Sequence, residues 1–102
     1  MMTLDTFRQS LAERGPPSGL DTALQGLWWA GAGDWDRAHA LAQQREGDPR
    51  CDLLHAYLHR QEGDAGNAHY WYRRAGRSAG AGSLQEEWDA LATEFLARPA
   101  GA

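Results

Sequence analysis

The chain has 102 residues, of which 42% are hydrophobic and 24% are charged, and its formal net charge is −4. A chain of this length usually forms one domain, and we expect residues 1–102 to be a single helical domain. An acidic chain lacks the basic surface that binding to phosphate backbones requires, so we expect no nucleic-acid partner. No stretch has the length of a membrane span, so we expect no membrane partner.

The cysteine count and the N-terminal residues bear on location. A single cysteine cannot form an internal disulfide, so nothing in the sequence indicates an oxidising compartment. The first residues lack both the basic start and the continuous apolar run of a signal peptide. The sequence therefore predicts a cytoplasmic protein.

The composition favours helix over sheet. The chain contains no Ile and no Val, whereas Ala, Leu, Glu, Gln and Arg are frequent. Residues of the first kind favour strands and those of the second kind favour helices. We therefore predict an all-α fold.

The first two predicted helices are separated by a proline pair. Apolar residues at helical spacing predict a helix from Leu4 to Arg14 with Thr3 as its N-cap. Residues 15–17, Gly-Pro-Pro, end it because proline disfavours helix at the preceding residue. Residues 18–21 resemble a capping box with Asp21 in the acidic position, and they predict a second helix that extends to about residue 31.

The third and fourth predicted helices are separated by a break at residues 46–49. A turn at residues 33–34 predicts a third helix from Trp35 to about Arg45. Asp48 then has the character of an N-cap, and Pro49 suits the first helical position of a fourth helix that extends to Glu62.

The last part of the chain predicts two more helices. The fifth runs from about Ala65 to about Gly76, and a loop of small residues follows at 78–82. Residues 83–86 form a capping box that opens the last helix, residues 83–97, and Pro99 closes it. The apolar face of this helix consists of Leu84, Trp88, Leu91 and Phe95. The chain thus predicts six helices in three α–α hairpins.

An internal repeat supports the hairpin pairing. Residues 33–39, GDWDRAH, match residues 63–69, GDAGNAH, thirty residues later. The helices before these segments also correspond, which predicts two helix-turn-helix units near residues 20–45 and 50–77. Self-similarity at a fixed period is typical of repeat proteins.

The small residues of this repeat resemble those of the tetratricopeptide repeat. The second copy has Ala56, Gly63, Ala68, Tyr72 and Ala75 at the matching positions. The first copy has Gly26, Gly33 and Ala38, with Ala42 where an aromatic residue is usual. The resemblance implies a short array of hairpins closed by the first and last helices, and a scaffold that often binds peptides.

This sequence departs from the tetratricopeptide pattern in two respects. The copies are thirty residues apart rather than about 34. In addition, His55 and His59 occupy positions where that repeat keeps a leucine and a tyrosine. The segments HAYLHRQEGD and NAHYWYRRAG are also similar to a group of small uncharacterised bacterial proteins, a similarity that implies no function.

The first functional hypothesis is a binding or scaffold module. Residues 50–77 contain five arginines against three acids, whereas the rest of the chain is acidic. Exposed tyrosine beside arginine is typical of binding surfaces, and arginine grips carboxylates and phosphates. We expect the ligand to be an acidic peptide, a protein partner or a small anion. The predicted binding residues are His55, His59, His69, Tyr70, Arg73, Arg74 and Arg77. A homodimer is left open.

The second functional hypothesis is a metal site or small enzyme centred on His55 and His59. Side chains four residues apart lie on one face of a helix, so the two imidazoles can share an ion. Zinc needs a third or fourth ligand. The candidates for it are Cys51, His39, His69, Glu62 and Asp52. The alternative is that both histidines are half-buried packing residues.

Cys51 is the one candidate nucleophile. It falls in the first turn of the fourth helix, where the helix dipole lowers the pKa of a thiol, and His55 is one turn away. A lone cysteine that packs in the core is the alternative. No oxyanion hole or third residue accompanies the pair, so we expect a binding protein rather than an enzyme, with no cofactor.

Overall fold

A computed structural model of the chain describes residues 2–80 and 82–98. These residues form an all-α structure with six α-helices and no strand, which confirms the predicted fold class. The helices are α1 (Leu4–Gln9), α2 (Thr22–Gly31), α3 (Trp35–Gln43), α4 (Pro49–Gln61), α5 (Ala65–Arg74) and α6 (Leu84–Ala97). Within the described residues, no helix combines the length and apolarity needed to cross a membrane.

Most helices begin at the residues that the sequence indicated. The side chains of Thr3, Asp48 and Ser83 each accept a hydrogen bond from a backbone N–H of the first turn, as expected of N-caps. The capping box at Ser83 is complete, because the Glu86 side chain also accepts from the Ser83 backbone N–H.

The predicted start of the second helix is wrong by several residues. Asp21 is itself the N-cap of α2, and its carboxylate accepts a hydrogen bond from the Leu24 N–H at 2.9 Å. Gly19 has a φ of +85°, which no α-helix contains, so Ser18 cannot open one. The Asp21 carboxylate therefore caps the helix itself. It does not act as the acidic partner of a capping box that begins at Ser18.

The first helix is shorter than predicted. α1 ends at Gln9, and residues Ser10–Ala12 continue as one 3₁₀ turn. The Ser10 hydroxyl donates to the Phe7 carbonyl and accepts from the Trp28 indole N–H at 3.0 Å. A serine that bonds to a nearby backbone carbonyl competes with regular helix, which explains the early end. Ala81 of the predicted loop and Pro99, predicted to close α6, lie outside the described residues.

The two sequence repeats have the same backbone turn. Gly33 and Gly63 have φ values of +88° and +87°, a conformation that glycine adopts readily. The Asp34 N–H donates to the Trp29 carbonyl at 2.9 Å, and the Asp64 N–H donates to the His59 carbonyl at 2.8 Å. The hairpins α2–α3 and α4–α5 are therefore matched at the turn.

Helix α4 lies at the centre of the structure. Its residues 51–59 are all buried, because α2, α3, α5 and α6 pack around it. Helices α1 and α6 come from opposite ends of the described chain and contact each other, and α6 also packs on α2. Phe7 stacks on Trp88 at 5.4 Å between ring centroids, and the Trp88 indole N–H donates to the Leu27 carbonyl at 2.8 Å.

The apolar face predicted for α6 is only partly buried. Trp88, Leu91 and Phe95 are in the core, whereas Leu84 is 37% exposed. Leu84 is the first residue of α6, and its side chain lies at the rim of a surface cleft.

Close helix approach occurs at Gly26 of α2. A Cβ atom built on Gly26 would lie 2.3 Å from Leu54 Cδ2 and 3.4 Å from the Ala38 carbonyl oxygen. Leu54 is fully buried, so it has no free space into which to move. The packing of α2 on α3 and α4 therefore depends on a residue without a side chain at position 26.

We expect Gly26→Ala to lower the free energy of unfolding by about 1–3 kcal/mol, as overpacked cores do. Gly66→Ala is the matched control, because its Cβ in the exposed part of α5 would meet nothing closer than Asp64 Oδ1 at 4.0 Å. The control should gain about 0.5–1 kcal/mol from helix propensity. Urea denaturation measures both, and equal changes in the two variants would contradict the close approach.

Candidate functional site

Three histidines from two neighbouring helices meet in the interior. His39 lies on α3, and His55 and His59 lie one turn apart on α4. One ring nitrogen of each side chain lies within 4.8 Å of the others. His39 Nε2 and His55 Nε2 are 2.9 Å apart and share a hydrogen bond. The packing of α3 against α4 thus assembles three imidazoles, a set of ligand atoms that suits a transition-metal ion.

Two tryptophans enclose this histidine cluster (His39, His55 and His59). Trp35 stacks on His39 with ring centroids 4.6 Å apart, and Trp71 stacks on His55 at 3.9 Å. The Trp35 indole N–H donates to the Leu58 carbonyl at 2.7 Å, which fixes the orientation of that ring. The rings of His39 and His55 therefore contact aromatic side chains in place of solvent.

Burial disfavours the charged form of His39 and His55. His55 is 2% exposed and His59 is 7% exposed, whereas His39 is partly exposed. The pKa of His55 is lowered to about 4, mainly by burial and to a smaller extent by the neighbouring His39 and His59. Burial also lowers the pKa of His39, with His59 as the second cause. At neutral pH His39 and His55 are therefore neutral imidazoles, each with one lone-pair nitrogen.

One carboxylate contacts the cluster. Glu62 Oε1 accepts a hydrogen bond from His59 Nδ1 at 2.7 Å. With Nδ1 bound to the carboxylate, Nε2 is the nitrogen of His59 that remains available as a ligand. Glu62 and Asp64 also form a second set of donors with His59, in which both carboxylates are exposed.

His55 carries an unsatisfied polar atom. Its Nδ1 is buried and has no hydrogen-bond partner among the described residues. A buried polar atom without a partner costs about 1–3 kcal/mol, and leucine at this position would avoid that cost. Packing alone therefore does not explain a histidine here.

The other predicted binding residues lie outside the cluster. His69, Tyr70, Arg73 and Arg74 are exposed on α5, and Tyr70 is 48% exposed. Trp71 of the same helix faces inward and covers His55. The structure therefore divides the seven predicted binding residues into two buried histidines and an outer group.

Tyr70 and Arg74 form the core of this outer group. The Arg74 guanidinium lies 4.9 Å from the centroid of Trp71 and 5.9 Å from that of Tyr70, and Nη1 donates to the Tyr70 hydroxyl at 3.3 Å. Arg77 is different, because it forms two hydrogen bonds to Glu94 of α6, at 2.8 and 2.9 Å. Arg77 therefore links the end of α5 to α6 through Glu94.

The prediction that the helix dipole lowers the pKa of the Cys51 thiol is wrong. The Cys51 side chain is buried, and burial raises the pKa of the thiol to about 12 instead of lowering it. Desolvation of the thiolate outweighs the helix dipole here, and Asp48 adds to the increase. Asp52, another proposed ligand, accepts a hydrogen bond from the Gly47 N–H at 3.1 Å. Neither residue belongs to the histidine cluster.

His39 and Glu62 were among the five candidate ligands predicted from the sequence. The positions of Trp35 and Trp71 beside the histidines were not predicted. Trp35 and His39 are four residues apart on α3, a spacing that places both rings on one face of the helix. That spacing repeats the one between His55 and His59, and it is the signal that could have singled out His39.

Comparisons with protein-family models, with curated proteins and with solved structures find no match to this chain.

We expect Cys51 to be almost unreactive in the folded protein. A thiol pKa of about 12 instead of 9.0 lowers the thiolate fraction about 1,000-fold near neutral pH, and burial blocks the reagent as well. Iodoacetamide labelling followed by mass spectrometry should be slow in buffer and fast in urea. The control is Ser78→Cys in a Cys51→Ala background, because Ser78 is exposed. Equal labelling rates in buffer would contradict the burial of Cys51.

Proposed function

We propose that this protein binds a divalent transition-metal ion of the zinc class through His39, His55 and His59. The single observation behind this proposal is the convergence of three imidazole nitrogens within 4.8 Å in the interior. Imidazole ligands suit zinc, copper, nickel and iron, whereas magnesium and calcium prefer oxygen ligands. Three protein ligands with one further position are typical of zinc sites that keep an open coordination site.

The distances suit an ion after small side-chain movements. Zinc–nitrogen bonds of about 2.0–2.1 Å in tetrahedral geometry place two ligand nitrogens about 3.4 Å apart. The corresponding nitrogens here are 2.9 Å apart for His39 and His55, and at most 4.8 Å apart across the cluster. An ion would replace the hydrogen bond between these two rings and draw His59 inward.

Glu62 supports the proposal from outside the ligand set. A ligand histidine usually donates its second N–H to a carboxylate, which fixes the ring and makes the other nitrogen a better ligand. The contact of His59 Nδ1 with Glu62 at 2.7 Å has this form. Glu62 would therefore orient His59 Nε2 toward the ion and compensate part of its charge.

An ion at this place would connect the two hairpins. His39 belongs to the α2–α3 hairpin, and the other two ligands belong to the α4–α5 hairpin. Binding to the folded state alone stabilises it by mass action, by about 2.7 kcal/mol when free ion is at 100 times the Kd. We propose that the protein is a metal-stabilised helical module of the tetratricopeptide type, located in the cytoplasm.

We expect protein purified without a histidine tag to bind one zinc or cobalt ion per chain. Added ion should raise the midpoint of thermal unfolding, and bound cobalt should show the intense visible absorption of a four-coordinate site. In His55→Leu the ion and the stabilisation should both be lost. Without ion this variant should be as stable as the parent, because the substitution removes a buried unpaired nitrogen.

His69→Ala is the matched control for this experiment, because His69 is exposed on α5 and outside the cluster. It should bind the ion like the parent. Retention of the ion in His55→Leu would assign binding to the set of His59, Glu62 and Asp64 and would contradict the proposal. Absence of any shift in unfolding on adding zinc to the parent would also reject it.

A second candidate function is the binding of an acidic peptide by the outer face of α5. The observation in its favour is the exposed Tyr70 with the Arg74 guanidinium beside it. Arg73 is also exposed, and it has no hydrogen bond or ion pair with another described residue. Tyrosine and arginine together are common at the centres of protein interfaces.

Arg73→Glu with Arg74→Glu should abolish binding of a synthetic hexa-glutamate peptide, measured by fluorescence anisotropy at low and at physiological salt. Arg14→Glu is the control, because this arginine is exposed in another part of the molecule. This single substitution changes the net charge by half as much as the double substitution does, and it lies outside the proposed surface. Equal loss in the two variants would indicate attraction by net charge rather than by this surface.

A further inference from the structure

A surface cleft of about 490 Å³ lies apart from the proposed metal site. None of the residues that line it belongs to the histidine cluster. It is formed where α1 and α6 cover the ends of α2 and α4. Clefts of about 300–1,000 Å³ are typical of small-molecule sites. Its size is therefore sufficient for an organic ligand.

The cleft contains polar groups without partners. Tyr57 lines it and is only 3% exposed, yet its hydroxyl forms no hydrogen bond with any described residue. Gln61 lies one turn further along α4 and also lines the cleft. Its Oε1 is buried and without a partner among the described residues. Two side chains one turn apart on α4 therefore line the cleft without a hydrogen bond to a described residue.

Two comparable buried side chains near the cleft do have hydrogen-bond partners. The hydroxyl of Tyr72, which is as buried as Tyr57, donates to Glu87 Oε2 at 2.5 Å. The indole N–H of Trp88, which also lines the cleft, donates to the Leu27 carbonyl. Buried polar groups in native proteins are nearly always hydrogen-bonded. The hydroxyl of Tyr57 has no such bond with a described residue, and because its oxygen is not among the fully buried unpaired atoms, it is accessible to a ligand in the cleft.

Arg8 is the one charged side chain among the described residues that line the cleft, and the carboxylates of Glu87 and Asp89 act on Tyr57 from outside this lining. The Arg8 guanidinium is about half exposed, and its Nε atom is 3.9 Å from Asp89 Oδ1, which is too long for a hydrogen bond. Burial raises the pKa of Tyr57 to about 12, so the hydroxyl is a hydrogen-bond donor at neutral pH. A cation and a donor together favour an anionic group.

The remaining wall is apolar. Leu11, Leu84 and Trp88 contribute to it, and Leu84 is one of two large hydrophobic side chains that are exposed in the described chain. We propose that this cleft binds a small organic acid, with its carboxylate at Arg8 and the Tyr57 hydroxyl and its apolar body against these three side chains. Gln61 would supply a further hydrogen bond to the polar end.

The proposal separates binding from stability at position 57. Tyr57→Phe removes only a hydroxyl that makes no hydrogen bond in the protein itself, so the variant should be at least as stable as the parent. Arg8→Gln removes the cation from an exposed side chain and should leave stability unchanged within experimental error. Both substitutions should nevertheless weaken the binding of a carboxylate.

The test uses 4-phenylbutyrate, which has one carboxylate and one apolar body, with the uncharged 4-phenylbutanol as the matched ligand. Titration followed by ¹H–¹⁵N NMR should shift the Trp88 indole and Gln61 amide signals, with saturation. We expect the Kd to rise about tenfold or more for the alcohol and for Arg8→Gln, and about tenfold for Tyr57→Phe. Arg14→Gln, which changes an exposed arginine outside the cleft, should leave it unchanged.

Three results would overturn this inference. The first is the absence of saturable shifts up to millimolar ligand. The second is an equal Kd for the acid and the alcohol, or a Kd that Arg8→Gln does not alter. The third is a large loss of stability in Tyr57→Phe, since that would show the hydroxyl to have a structural partner. None of these results depends on metal binding, so this proposal and the proposed function can fail separately.

Discussion

The enclosure of α4 by four other helices is the constraint on which the rest of the structure depends. Nine consecutive residues of this helix, 51–59, are buried, so every face of it must find a partner. An exposed helix would turn its histidines to water, but this one carries His55 and His59 into the interior. Burial then opposes the protonation of His55, and the partners available to both histidines are other side chains of the core. The contact with His39 follows from this enclosure.

Close packing between hairpins determines which partner the histidines meet. Gly26 allows α2 to approach Leu54 of α4, and fully buried Ala38 and Ala56 have small side chains on neighbouring helices. With α2 close to α4, α3 is also drawn against α4, and His39 comes within hydrogen-bond distance of His55. Larger residues at these positions would separate the helices and also the ring nitrogens. Packing and site geometry therefore have one common origin.

Local features of the fold could be predicted from the sequence, whereas contacts between distant segments could not. Caps and turns depend on a few adjacent residues, so Thr3, Asp48 and Ser83 were identified correctly. The pairing of α1 with α6 joins segments about eighty residues apart, and helical periodicity contains no information about it. The same limit applies to the site. Spacing showed that His55 and His59 share a face, but His39 and His69 occupy equivalent repeat positions. The aromatic residue four positions before His39, which His69 lacks, is a local difference between them, but only the packing of α3 on α4 brings His39 to His55.

Trp71 lies between a neutral interior and a cationic surface. His55 stacks on its ring at 3.9 Å, and the Arg74 guanidinium lies 4.9 Å from its centroid. Arg74 contributes to the lowered pKa of His55, so positive charge outside already disfavours positive charge inside. A divalent ion bound to three neutral imidazoles would experience the same repulsion. Glu62 is the negative group in direct contact with the cluster, through His59 Nδ1. Two features therefore favour a metal ion over additional protons in this interior. The lone pairs of several imidazoles can bind one ion together, and Glu62 compensates part of the charge of that ion.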